Sequence, residues 1–223
     1  KPALKGRKSV GTLTSYSNGL RFLSKNNELL EIGLWNIRNA IFQPCSDNMI
    51  VILHFFLKTP IEIANKSTSH VQFYLEVGYT SEDLGDVRGR IKRGELNEEE
   101  EEKLESQARN HYNRVFLDFL TKTEINWDIP LKFENTYSDL SFHGSILQNN
   151  VVLMPTAYCL VSLIETPFFV LNLSDIEIAV FERVDLRIKN FDIVFILKDF
   201  SKKVLVINNI PRVSLDKIKV WLK

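Results

Sequence analysis

The chain has 223 residues, enough for one large β domain or for two modules of about 100 residues each. Its 28 Lys plus Arg balance 28 Asp plus Glu, which excludes wholesale attraction to nucleic acid or an anionic membrane and leaves only a local patch for such binding. Cys45 and Cys159, far apart in strand-like sequence, read as reduced core thiols of an intracellular chain rather than a disulfide framework. The longest nearly apolar run, 49–57 interrupted by His54, is about half the length of a membrane helix, and no signal-like segment opens the chain. The expectation is a soluble protein, and the start at Lys1-Pro2 without Met reads as that of a fragment.

Most of the sequence consists of short runs rich in Val, Ile, Phe and Thr, punctuated by Asn, Gly, Asp and Pro, the pattern of antiparallel β structure. Strands are predicted at 10–15, 19–24, 28–32, 36–42, 49–57, 60–64 and 69–77. Asn18-Gly19 is the strongest hairpin signal, because both residues tolerate the positive φ of a tight two-residue turn. Residues 80–97 lose apolar periodicity and carry Gly85, Gly89 and Gly94 among charges, as an exposed insertion does. A long helix over 98–121 follows, with Asn97 as N-cap and the glutamates 98–102 in the first turn, where the unpaired amides favour carboxylates. Leu104, Ala108, Tyr112, Val115, Phe116 and Phe119 give it one apolar stripe.

A second block runs from about 131, with strands predicted at 140–147, 151–155, 158–164, 168–172, 176–188, 192–198 and 203–208. Ser214 is placed as the cap of a last short helix that buries Leu215, Ile218 and Leu222 with Trp221 beside them. Seven strands and a closing helix thus occur twice. A weak internal repeat agrees: 36–42 matches 175–181, 49–53 matches 192–196, and Gly11 has a counterpart in Gly144. A bent seven-stranded sheet closed at one corner by a helix is the pleckstrin-homology architecture. The fold class is therefore mainly β with two helices, as tandem pleckstrin-homology-like barrels packed as one unit, with modules at 1–125 and 131–223.

Signatures of chemistry are missing. His54, His70, His111 and His143 are scattered singly, with no Cys or carboxylate at metal-ligand spacing. His54 reads as a strand residue and His111 as a helix residue. The glycines at 85–94 lack the Gly-Lys-Ser/Thr ending of a phosphate loop, and no nucleophile elbow or dinucleotide turn occurs. No catalytic residue, metal or cofactor is expected. A phosphoinositide-binding or protein-binding adaptor is the alternative for this fold, but a polyphosphate headgroup needs several converging cations on the first loop of a module. Those loops read Ser15-Tyr16-Ser17-Asn18 and Gln148-Asn149-Asn150, and Arg21 alone cannot supply a site.

The cations lie elsewhere. Lys5, Arg7 and Lys8 precede the first strand, and Arg88, Arg90, Lys92 and Arg93 fall in the insertion. Arg183, Asp185, Arg187 and Lys189 alternate with Val184, Leu186 and Ile188, which on a strand sends the charged set to one face and the apolar set to the core. With Lys198, Lys202 and Lys203 around the next turn, this is either an extended basic surface or a solvated face with edge protection. The glutamates 98–102 likewise serve either dipole compensation or contact with a basic partner.

Several runs point to one family. They are Asn18-Gly19-Leu20-Arg21-Phe22, Phe42-Gln43-Pro44-Cys45, Leu53-His54-Phe55 and Val71-Gln72-Phe73-Tyr74-Leu75-Glu76-Val77. Pro155-Thr156 follows, then 181–204 from Phe181-Glu182-Arg183-Val184 through Asp192-Ile193-Val194-Phe195 to Lys202-Lys203-Val204, and Ile210-Pro211 through Trp221-Leu222. In this order they resemble the middle domain of the large subunit of the FACT histone chaperone, over essentially the whole chain. The resemblance implies a nuclear, chromosome-bound, ATP-independent module that binds core histones, especially the tetramer-forming pair, and acts on nucleosomes in transcription, replication and repair. It implies no enzyme activity and no membrane. It also implies a small FACT subunit as partner, through regions mostly outside this chain, and DNA as a competitor. Arg7 and Lys8 fall where the family carries a basic pair linked to histone binding, with Arg183, Arg187, Lys189, Lys198, Lys202 and Lys203 as a second set. The insertion at 80–97 is shorter and less charged than the family's. The chain stops at Lys223, where the family continues toward a segment that grips the dimer-forming histone pair and an acidic tail.

Overall fold

A computed structural model describes residues 3–4, 7–46, 49–63, 65–77, 98–185 and 187–222. The chain divides into two units, Lys1–Phe133 and Glu134–Lys223, each with its own buried cluster. The first opens with a small hairpin, β1 (Ala3–Leu4) and β2 (Arg7–Lys8), followed by a meander of β3 (Gly11–Tyr16), β4 (Gly19–Ser24) and β5 (Leu29–Gly33). Alternation of apolar residues along β4 and β5 sends Leu20, Phe22, Leu30 and Ile32 into the core. The β3–β4 turn is Ser17-Asn18, one residue earlier than the hairpin signal placed it. Gly19 instead opens β4, where a Cβ would lie 2.5 Å from the Ile32 carbonyl oxygen. Its role is close approach of two strands rather than a left-handed turn.

A 3-10 turn, Leu34–Asn36, leads into β6 (Ile37–Gln43), β7 (Ile50–Ile63) and β8 (Lys66–Glu76). The strands predicted at 49–57 and 60–64 are one strand with a bulge. Phe56 pairs with His70 and Ile61 with Thr68, so residues 57–60 face Ser69 alone. Pro60 has no N–H to give a ladder, and the bulge is where its absence costs nothing. Asn36 holds this bulge: its Nδ2 donates to the Thr59 carbonyl at 2.9 Å and its Oδ1 accepts from the Thr59 N–H at 2.8 Å.

Helix α1 (Glu98–Asn126) is longer than the sequence suggested, and the predicted cap Asn97 and the insertion lie outside the described residues. Ala108, Tyr112, Phe116 and Phe119 pack on the first core, and the stripe continues through buried Leu120 and on to Trp127 beyond the helix, whereas Val115 is 49% exposed. Polar clamps fix the helix. Asn113 accepts from the Cys45 N–H at 2.7 Å and donates to its carbonyl at 3.1 Å. Trp127 stacks on Phe133 at 5.3 Å, and Phe133 meets Phe55 edge-on at 5.8 Å. Phe133 begins a short strand, β9 (Phe133–Asn135).

The second unit contains β10 (Phe142–Ile146), β11 (Asn149–Pro155), β12 (Cys159–Ser162), β13 (Phe169–Asn172), β14 (Ile176–Glu182), β15 (Asn190–Leu197), β16 (Leu205–Pro211) and α2 (Leu215–Trp221). The strands form one sheet in the order β13-β12-β11-β10-β16-β15-β14. Phe142, Leu153, Leu160, Phe191, Ile193, Phe195, Ile207 and Ile210 fill its core, closed by Leu215 and Ile218 of α2. At Gly144 a Cβ would come within 2.6 Å of Ile207 Cγ2, so glycine lets β10 cross β16. Trp221 ties the helix down by donating Nε1–H to the Thr156 carbonyl at 2.8 Å. Ser214 stands at the start of α2, but its side chain makes no capping bond; a 3-10 turn, Arg212–Ser214, delivers the chain instead.

The architecture is the expected one, mainly β with two α-helices among the described residues and curled sheets of pleckstrin-homology type. The internal repeat also has a structural meaning. Both β6 and β14 follow a 3-10 turn (Leu34–Asn36 and Leu173–Asp175), and both carry a register shift at their first residues.

Candidate functional site

The strand predicted to run to 188 ends at Glu182, and the alternation of charged and apolar faces over 183–189 is not realised. Arg183 breaks the strand with φ 56°, in the left-handed region. There its guanidinium turns back onto β15 and donates to both carboxylate oxygens of Asp192, Nε to Oδ2 at 2.5 Å and Nη2 to Oδ1 at 2.6 Å. Asp192 also accepts from the N–H of Asn209, another left-handed residue. The Arg183 guanidinium holds the Asp192 carboxyl below the usual carboxylate range. Downstream the loop is organised by Asp185, which accepts from the Arg187 N–H at 2.8 Å through its side chain and from the Ile188 N–H through its carbonyl. Val184 and Ile188 are 47% and 41% exposed rather than buried.

This changes the second set of candidate cations. Arg183 is committed to Asp192, whereas Arg187 and Lys189 are exposed on the loop. Lys198, Lys202 and Lys203 surround the β15–β16 turn, all exposed, with Lys202 3.6 Å from Asp199. Hydrogen bonds from Ser201 keep the Asp199 carboxyl low. The two groups sit at opposite ends of β15, about 23 Å apart at the rise of an extended strand. They are two small clusters, not one surface. Arg212, which sequence reasoning passed over, joins the first: its N–H donates to the Lys189 carbonyl and its Nη1 reaches the Asp185 carbonyl at 3.5 Å. Only the pairing of β15 with β16, at Asn190 and Pro211, brings it there.

In the first unit, Arg7 and Lys8 form β2, pairing with Leu4 and Ala3. Directly after them, Val10 and Gly11 enter the wall of an apolar groove of about 310 Å3, lined further by Leu13, Phe22, Phe73, Val115 and Phe119. The groove is where the sheet and α1 leave apolar surface open, and the half-exposed Val10 and Val115 form its lips.

The first turn of each module lacks the converging cations that a polyphosphate needs. The turns are Ser17-Asn18 and Leu147-Gln148, without a cation, and Arg21 is bound to Glu31 at 2.7 Å and lies over the Tyr16 ring. The histidines are not all separate: His54 and His70 meet across β7 and β8, Nε2 to Nδ1 at 3.0 Å. Burial, with the neighbouring ring second, lowers His54 to about 3, and burial lowers His70 as well. Among the described residues no three His, Cys, Asp or Glu side chains group as metal ligands, and no helix is long and apolar enough to cross a membrane.

Comparison with known proteins accounts for both units. Residues 1–123 match the family described as the FACT complex subunit SPT16 PH-like domain, and residues 141–223 match the middle domain of histone chaperone Rttp106-like proteins. The FACT complex subunit SPT16 of rice, Oryza sativa, is 42% identical over 225 residues, covering 98% of this chain and 21% of the relative. That of Saccharomyces cerevisiae is 41% identical over 218 residues, covering 95% and 21%, and the Caenorhabditis elegans protein is 37% identical over 222 residues, covering 100% and 21%. The chain spans about a fifth of the length of these curated relatives. With one family model over more than half of the chain and relatives aligned across nearly all of it, the chain belongs to the FACT complex subunit SPT16 PH-like domain family.

Proposed function

We propose that this chain is a histone-binding module of a nuclear histone chaperone, working on nucleosomes without ATP during transcription and replication. The observation that carries this reading is the continuous match of both units, one to the SPT16 PH-like domain and the other to a histone chaperone middle domain. Binding rather than catalysis is its work. Its ligands are core histones, the tetramer-forming pair above all, with DNA competing for the basic positions and the small subunit of the complex held mostly by other regions.

The first contact is assigned to Arg7 and Lys8 of β2, which Val10 and Gly11 of the apolar groove follow closely in the chain; charge would serve orientation and apolar area affinity. Arg187, Lys189, Lys198 and Lys203 form the second set, with Arg183 and Lys202 reduced by their carboxylate partners. Cations suit histones only where they meet acidic or polar histone surface, and they suit DNA directly. A pull-down with each core histone pair at moderate salt tests the reading. Retention of the tetramer-forming pair is expected, and failure of the folded chain to retain either pair overturns it. Changing Arg7 and Lys8 to Glu should weaken retention with no fall in Tm; unchanged retention places the contact elsewhere. Liposomes carrying phosphoinositides should float without the protein.

A further inference from the structure

Two turns of the second unit come together at one end of its sheet. β10 runs antiparallel to β16 with Ser145 opposite Asn208, so Leu147, two residues on, stands level with Val206. β16 in turn leaves the β15–β16 turn, residues 198–204, at Leu205. Strand pairing thus sets the β10–β11 turn beside the β15–β16 turn. We propose that these two turns form a docking tip for an acidic segment of a partner protein that carries bulky apolar side chains.

The apolar part is exposed beyond anything the unit's own core asks for. Leu147 is 84% exposed and Phe200 77%, and Val204 and Val206 add 51% and 37%. Leu147 also holds a backbone that suits other residues. Its φ is 48° and that of Gln148 is 72°, both left-handed, in a two-residue turn where Asn and Gly are favoured. A leucine that is both strained and exposed contributes nothing to the second core, and strain of this kind gathers at binding sites.

The charge of the turns selects the partner. Residues 145–150 carry no ionisable side chain, and residues 198–204 carry three lysines against one acid. That acid is spent on the turn itself: Asp199 Oδ1 accepts from the N–H and the hydroxyl of Ser201, at 3.1 and 2.6 Å, and Oδ2 lies 3.6 Å from Lys202. Asp175, before β14, meets the turn through its carbonyl, which accepts from the Lys198 N–H. Among the described residues Lys198 and Lys203 form no ion pair. An apolar centre rimmed by cations is matched by an apolar centre rimmed by carboxylates. A nucleic-acid backbone would meet the lysines and leave Leu147 and Val204 uncovered, so the occupant is a protein segment.

The probe is an acetylated, amidated decapeptide in which two Phe-Leu pairs are set between three Asp pairs, titrated into the 223-residue chain labelled with 15N. Saturable amide shifts centred on 145–150 and 198–204 are expected, weakening as salt is added. Replacing every Asp of the probe by Lys, or every Phe and Leu by Ser, should abolish binding; equal binding by either version overturns the proposal. Phe200→Ser should weaken binding about tenfold, the scale of losing one anchor residue. Leu147→Asn should weaken it while raising Tm, because asparagine tolerates the left-handed backbone. Unchanged affinity in both variants, or shifts centred elsewhere, overturns the proposal. So does binding of phosphatidylserine vesicles or of a short DNA duplex through Leu147 and Phe200 with none of the acidic peptide. The probe contains no histone sequence, so a negative result leaves histone retention to be judged by its own pull-down.

Discussion

With His54 wholly buried and 3.0 Å from His70, a proton added there would have to be held without water and beside a second ring. The folded His54 therefore titrates only near 3, while the unfolded one takes its proton at about 6.5. The unfolded chain binds more protons as pH falls below 6.5, so stability is present above that pH and is lost through the window from about 6.5 toward about 3, at up to about 1.4 kcal/mol per pH unit. Urea denaturation at pH 7, 6 and 5 should show the decline, and His54→Gln should flatten it; an equal slope in the variant assigns the effect to other groups. Asp192 acts in the opposite chemical sense. It is kept ionised by Arg183 and accepts from Asn209, so Asp192→Asn should lower the urea midpoint and speed amide exchange over 183–189. Nothing in the local sequence paired Arg183 with Asp192. The alternation around Arg183 read as a strand because a period of two is also what a charged loop shows by coincidence.

At the scale of elements, strand identity was legible where one face is buried. β3 to β6 and β10 to β13 fall within a few residues of their predicted places, because alternation and turn residues report the same local constraint. The errors lie where a tertiary contact overrides the local pattern. Around Pro60 the sequence signals a break, but Asn36 bridges the bulge from 23 residues away and β7 continues. Asn36→Ala leaves the Thr59 N–H and carbonyl without that partner and should cost about 1–3 kcal/mol, read by chemical denaturation, with faster exchange at the Thr59 amide. Gly144 makes a second test. Ala at this position has to displace Ile207 Cγ2, so a loss of about 1–3 kcal/mol is expected from overpacking, against almost none for an exposed Gly. A wild-type Tm for the Gly144→Ala protein would show that β16 yields more readily than its core position suggests.

At the scale of the whole molecule, separation of the basic clusters has a measurable consequence. Residues at opposite ends of β15 share no partners, so charge reversal at Arg187 and Lys189 and charge reversal at Lys198 and Lys203 should change histone or DNA binding additively, within about 0.5 kcal/mol. A strong departure from additivity would mean that one ligand site spans both ends. The sequence by itself determined the β class, the long helix and the family, because these follow from periodicity, turn chemistry and runs of residues contiguous in the chain. Only the tertiary structure decided which charges remain available. Arg183 met Asp192, Arg212 joined Lys189, and His54 met His70. Each of these depends on strand pairing, which brings distant residues within hydrogen-bonding reach and leaves no mark on the residues beside them in sequence.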